Sequence, residues 1–203
     1  MSPSTDKARA TRNRIVELAA SEFNRNGYAG TSMSDIMRAT GLQKGGIYNH
    51  FRSKDELAIA AFDYAVGRIQ QHYSTVLRGK RYAIARLYAL VDAFYDDIDD
   101  PPIQGGCPLL NTAIESDDTH PALRDRARQA MNAWRDMIRK IVANGSKRGE
   151  VRAEIDAETV ASLWISLLEG GLMMSQLYGD RVHLDRAKQH LCAYIRTALE
   201  VPD

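Results

Sequence analysis

The chain has 203 residues, 44% of them hydrophobic and 26% charged, which is enough to bury a core in one or two domains and excludes a disordered chain. The net charge of +1 hides an asymmetry: residues 1–55 hold nine Lys/Arg against five Asp/Glu, the remainder eighteen against twenty-one. A basic head on a mildly acidic body suits contact with a polyanion, with ordinary surface solvation as the alternative.

The N-terminal residues are polar and charged, so no secretory leader is expected. No stretch reads as long and apolar enough to span a membrane; residues 163–178 are interrupted by Glu169. Cys107 and Cys192 are far apart and give neither a zinc spacing nor a disulfide framework, which suits a reducing cytoplasm.

Nearly every segment has helical periodicity and none alternates as a strand would, so the fold class is all-α. Ile15, Ala19 and Phe23, with Leu18 beside them, mark a first helix that stops near Asn26-Gly27. Ser32 opens a second as N-cap, and Asp35 completes a capping-box variant. Ile36 and Ala39 face inward, Gly41 makes the turn and Leu42 plugs beneath it. A short third helix follows over 44–50, and Ser53 with Glu56 opens a long fourth through Leu57, Ala61, Tyr64, Ile69 and Tyr73.

Two short helices joined by a Gly-containing turn make a helix-turn-helix, whose second helix can enter a DNA major groove. Gln43, Lys44, Tyr48, Asn49 and His50 supply donors and acceptors for phosphates and base edges, and Gly45-Gly46 lets the backbone approach closely.

The body continues in helices. Ile84, Leu87, Tyr88, Val91 and Phe94 form one apolar stripe, broken by Asp96, Asp97, Asp99, Asp100 and Pro101-Pro102. A short helix is expected over 108–116. Pro121 opens a longer one through Leu123, Ala127, Met131, Trp134, Ile138 and Ile141, ending near Asn144-Gly145. Asp156 can cap the next, whose Val160, Trp164, Leu167, Leu168, Gly171 and Met174 cover more than one face; Leu184, Leu191, Ile195 and Leu199 mark the last. Apolarity on several faces suits half of a dimer interface, with Gly170-Gly171 allowing close approach; a helix wholly buried in a monomer is the alternative.

Over roughly Thr11 to Phe62, through the run RIVELAASEFNRNGYAGTSMSDIMRATGLQKGGIYNHFRSKDEL, the chain resembles the TetR family of bacterial transcriptional repressors. The matching positions are GY-x-x-T-S-x-x-D-I, A-T-G-L, K-G-x-x-Y-x-H-F and S-K-x-E-L. Gly46 and Gln43 depart from the family, which commonly has a DNA-touching side chain at the first and a capping Ser at the second. The resemblance implies a three-helix DNA-binding domain over 1–55, contacting DNA through Thr31, Ser32, Gln43, Lys44, Gly45, Gly46, Tyr48, Asn49, His50 and Lys54. It implies a larger helical effector-binding and dimerisation domain over 56–203, with the last two helices pairing through Trp164, Leu167, Gly171, Leu191 and Ile195.

A ligand cavity is likewise implied by the resemblance. Its candidate lining is Phe62, Tyr73, Tyr88, Cys107, Trp134, Trp164, Glu169 and Met173, most of which would individually serve as plain core. Cys107 precedes Pro108 at a helix start, where unpaired N–H groups lower a thiol pKa, and a branch of the family has a similar Cys there. An inert packing Cys is the alternative. His72, His120, His183 and His190 lack ligand spacing, so no metal or cofactor is expected. The chain also lacks a Gly-rich phosphate loop and any recognisable nucleophile setting, so an enzyme is not expected. The expectation is a cytoplasmic homodimeric repressor. It would bind a pseudo-palindromic double-stranded DNA operator and be released by a largely apolar small molecule. Redox or electrophile sensing through Cys107, or DNA binding with no effector, are the alternatives.

Overall fold

The computed structural model describes residues 3–116 and 119–201. Among these, nine α-helices follow in order: α1 (Pro3–Gly30), α2 (Met33–Thr40), α3 (Lys44–Tyr48), α4 (Lys54–Leu77), α5 (Ala83–Asp96), α6 (Pro108–Ser116), α7 (Pro121–Lys147), α8 (Ala157–Tyr178) and α9 (Val182–Tyr194). A single π-helical turn, Ile195–Leu199, ends the series. The chain divides into two compact units: Met1–Gln70 with Pro102–Ala130, and Gln71–Pro101 with Met131–Asp203.

In the first unit, α1 breaks at Gly27, whose φ of 75° and ψ of 166° lie in a region open essentially to glycine. One further turn follows, and the Thr31 hydroxyl donates back to the Gly27 carbonyl at 2.7 Å. Ser32 and Asp35 then form the reciprocal capping box of α2. Gly41, at φ 70°, closes α2 by donating its N–H to Met37. Thr40, not Ala39, is the buried residue of the last turn, because its hydroxyl is satisfied by the Ile36 carbonyl at 2.7 Å. Helix α3 is shorter than expected and leaves His50 beyond its end. It is held by Ile47 and then Phe51, which pack with Ile15, Ala19, Ile36 and Leu57 into one core. Ser53 caps α4 through the Glu56 N–H at 3.1 Å, while the Glu56 carboxylate accepts from Arg52 rather than from Ser53 itself.

The loop before α6, and α6 itself, grip the end of α1. Asn24 donates to the Gln104 and Gly106 carbonyls, and Asn111 donates to Asn24 and to the Gly105 carbonyl, all within 3.2 Å. The Glu115 carboxylate accepts the Tyr28 and Ala29 N–H groups, each at 2.7 Å. A carboxylate receiving consecutive amides just past a left-handed glycine is an anion nest filled from within the chain.

In the second unit, Leu87, Val91, Ile138, Val142, Trp164, Leu168, Leu184 and Leu191 are buried in the core. Helix α7 ends at Lys147, within two residues of the expected Asn144-Gly145, and the Gly145 carbonyl accepts the Arg148, Glu150 and Val151 N–H groups of the closing turn. Gly145 also marks a close approach: a Cβ there would lie 2.6 Å from Ala83 Cβ and 2.7 Å from Val151 Cγ2. Asp156 caps α8 by accepting the Glu158 and Thr159 N–H groups. With 22 residues, α8 is long and apolar enough to cross a membrane by length and composition, contrary to the sequence expectation; 50% of its most apolar window is buried. Trp164, Leu168, Glu169 and Ser175 are among the buried positions, as in the core helix of a folded domain.

Candidate nucleic-acid interface

The geometry of α3 follows from one apolar anchor. Ile47 points into the core, which turns Gln43, Lys44, Gly45, Tyr48 and Asn49 to solvent and leaves Gly46 and His50 half-buried. Tyr48 is 38% exposed although aromatic, and the Lys44 ammonium lies 5.7 Å from its ring centroid. The chain's own packing demands neither glycine. A Cβ on Gly45 would meet no heavy atom within 4 Å, and one on Gly46 would make ordinary contact with Leu42 at 3.5 Å. Two bare positions in a five-residue helix weaken it, so what they provide is an outer face open to close backbone approach.

Other candidates are already committed. Thr31 is 0% exposed, with its hydroxyl on the Gly27 carbonyl, so its side chain secures the turn and cannot reach DNA. The Ser32 hydroxyl donates to Asp35 at 2.6 Å. With the further help of Arg38, this holds the Asp35 carboxyl down at about 2. Lys54 donates to the Tyr28 carbonyl at 2.5 Å and lies 4.2 Å above that ring, which makes it a clasp across the unit. The Tyr28 hydroxyl donates to Asp55, and burial, then Asp55, pushes its pKa up to about 12.

Sequence reading missed Arg12, whose exposed guanidinium stands 4.7 Å from the Phe51 ring centroid, just past α3. It also missed the clamping role of Glu115. Both depend on partners distant in sequence, and neither leaves a local pattern.

The candidate ligand residues fall in both units. Phe62 is buried and Cys107 half-buried, immediately before α6, in the first unit. In the second, Tyr73 donates to Asp97 at 3.1 Å, Tyr88 reaches the Cys192 carbonyl at 3.4 Å, and Trp134 stacks on Phe94 with centroids 6.0 Å apart. Glu169 is buried and Met173 exposed. Of the candidate dimer residues, Trp164 at 1% exposure, Gly171, Leu191 and Ile195 are all buried within their own unit, and only Leu167 is partly open. A Cβ on Gly171 would stand 2.9 Å from Ala187 Cβ, so that glycine serves the contact between α8 and α9. The outward stripe of α8 is instead Leu163, Leu167, Gly170, Met173, Met174 and Leu177, at helical spacing.

Comparison with known proteins matches both parts. Residues 15–61 match the bacterial regulatory proteins of the tetR family, and residues 83–191 match the tetracyclin repressor-like C-terminal domain. The chain belongs to the TetR family of bacterial transcriptional regulators, which are not enzymes. It is similar to a TetR transcriptional regulator from Chloroflexus aurantiacus J-10-FL, at 46% identity and a TM-score of 0.93 over 97% of this chain and 100% of that one. A TetR-family regulator from Cytophaga hutchinsonii is 36% identical, with a TM-score of 0.90 over 97% of this chain and 98% of that one. The HTH-type transcriptional repressor DhaR of Mycobacterium sp. (strain GP1) is 23% identical over 86% of this chain and 87% of that protein.

Proposed function

We propose that the protein is a cytoplasmic homodimeric repressor. Each α3 reads one half-site of a pseudo-palindromic operator in successive major grooves. Residues 1–55 supply the DNA contacts, and residues 56–203 supply dimerisation and the uptake of a largely apolar small molecule that releases DNA. The observation that carries this reading is α3 itself: pinned by Ile47, it presents Lys44, Tyr48 and Asn49 around two glycines that its own packing does not require. The outward apolar stripe of α8 supports self-association. Gly170 sits within that stripe with nothing inside 4 Å of where a Cβ would be, so another backbone can come close.

Release requires only that the effector bind the two conformations with different affinity. Helix α4 runs covalently from the first unit into the second and is the natural lever. The experiment is a salt titration of operator binding by fluorescence anisotropy. Lys44→Ala should weaken binding and make the salt dependence shallower by about one counterion per chain. Unchanged affinity and slope would remove Lys44, and with it this orientation of α3, from the DNA.

A further inference from the structure

Helix α1 outruns the core that it helps to build. Ile15, Val16, Ala19 and Ala20 are buried, whereas residues 6–10 and 12–14 are exposed. Followed one turn toward the N-terminus, the buried face of Ile15 and Val16 reaches Arg12. The Arg12 guanidinium stands 4.7 Å from the ring centroid of Phe51, itself a core residue. Phe51 is tied to α3, because its N–H donates to the Ile47 carbonyl at 3.1 Å. The guanidinium therefore has a fixed place beside the exit of α3.

Other cations of this unit are spent within the chain. Arg9 pairs with Asp6 at 3.1 Å, Arg38 with Asp35 at 2.5 Å and Arg126 with Asp63 at 3.5 Å. Lys54 donates to the Tyr28 carbonyl. Among the described residues Arg12 enters no ion pair and no side-chain hydrogen bond, so its charge is held in place without being neutralised. A guanidinium carries its N–H donors in its own plane, so one resting on a ring keeps donors at its edge for another group. Parallel N–H groups at such an edge fit two phosphate oxygens, and the supporting ring reduces the rotamer freedom that binding would otherwise cost.

We propose that Arg12 clamps a DNA backbone phosphate beside the groove that α3 enters, positioning α3 without reading a base. This rests on the reading of α3 as the DNA-facing helix. Helix α3 has five residues, two of them glycine, and Lys44 is its one cation. A second phosphate contact from a different helix fixes an orientation that a single point charge cannot.

The test is fluorescence anisotropy across a salt series, with the full chain, the duplex that it selects from random double-stranded DNA, and a scrambled duplex. Arg12→Ala should weaken binding to both duplexes about tenfold and make the salt dependence shallower by about one counterion per chain. Arg12→Lys, which keeps the charge but not the fork, should retain the slope and lose about threefold in affinity. Thermal melting reports the fold of each variant. A lower melting temperature with affinity and slope unchanged would make Arg12 a cover for Phe51 and overturn the proposal. So would a loss confined to the selected duplex, which would mean a base contact, or a slope that falls as far with Arg12→Lys as with Arg12→Ala. Lys44→Ala in the same series separates the two readings. If it weakens binding and Arg12→Ala does not, the clamp alone fails; if neither does, the orientation of α3 fails and the clamp with it.

Discussion

Asp35 shows how one side chain both starts a helix and sets a pH response. Its carboxylate accepts the Ser32 N–H at 2.8 Å and the Ser32 hydroxyl at 2.6 Å, and it pairs with Arg38. These contacts, Ser32 first, lower its pKa from 3.8 to about 2. A pKa lower in the folded than in the unfolded state means that the unfolded chain takes up its proton first as pH falls. The contribution is therefore whole above about pH 4 and drains away toward pH 2. The melting temperature of the wild type should drop more steeply across that window than that of Asp35→Asn, and parallel curves would remove Asp35 as the cause. Gly45 offers a complementary test. Since a Cβ there meets nothing within 4 Å, Gly45→Ala should stabilise the protein by about 0.5–1 kcal/mol in urea denaturation, through helix propensity, while weakening DNA binding. A variant that is both more stable and a better DNA binder would mean that the bare position has no role at the DNA.

Among the elements, α8 is the one whose two faces do different work. Trp164, Ile165, Leu168 and Leu172 are buried within its own unit, while Leu163, Leu167, Met173, Met174 and Leu177 line the outer stripe. Leu177 is 74% exposed in the single chain, so Leu177→Glu should leave the fold intact and yield monomers by light scattering, with loss of operator binding. Dimers of normal stability in that variant would place the interface elsewhere. Gly171→Glu should instead unfold the contact between α8 and α9, because its Cβ alone would crowd Ala187. This division was not legible in the sequence, where apolar residues on both faces gave no way to tell the inward face from the outward one. Local signals were read correctly: the Ser32–Asp35 box, the Gly41 cap, and α6 beginning at Pro108 and ending at Ser116 all depend on neighbours within a few residues. Features settled by distant partners escaped, as with Gly145 against Ala83 and Glu115 on an amide pair 86 and 87 residues away.

At the scale of the whole molecule, α4 and α7 each contribute to both compact units, so the DNA-facing part and the body share continuous helices. A ligand that favours one arrangement of those helices can bias DNA affinity without any chemistry, and the size of the response is limited by its differential affinity for the two states. The central claim is that a pair of these chains reads DNA through two copies of α3. The direct measurement is selection of binding sites from random double-stranded DNA by the purified full chain, followed by stoichiometry of the complex on the winning sequence. An inverted repeat with half-sites about one helical turn apart, bound by two or a multiple of two chains and lost with Lys44→Ala together with Tyr48→Ala, is the predicted result. Enrichment of no sequence, or of a single asymmetric site bound by one chain and indifferent to those substitutions, would contradict it.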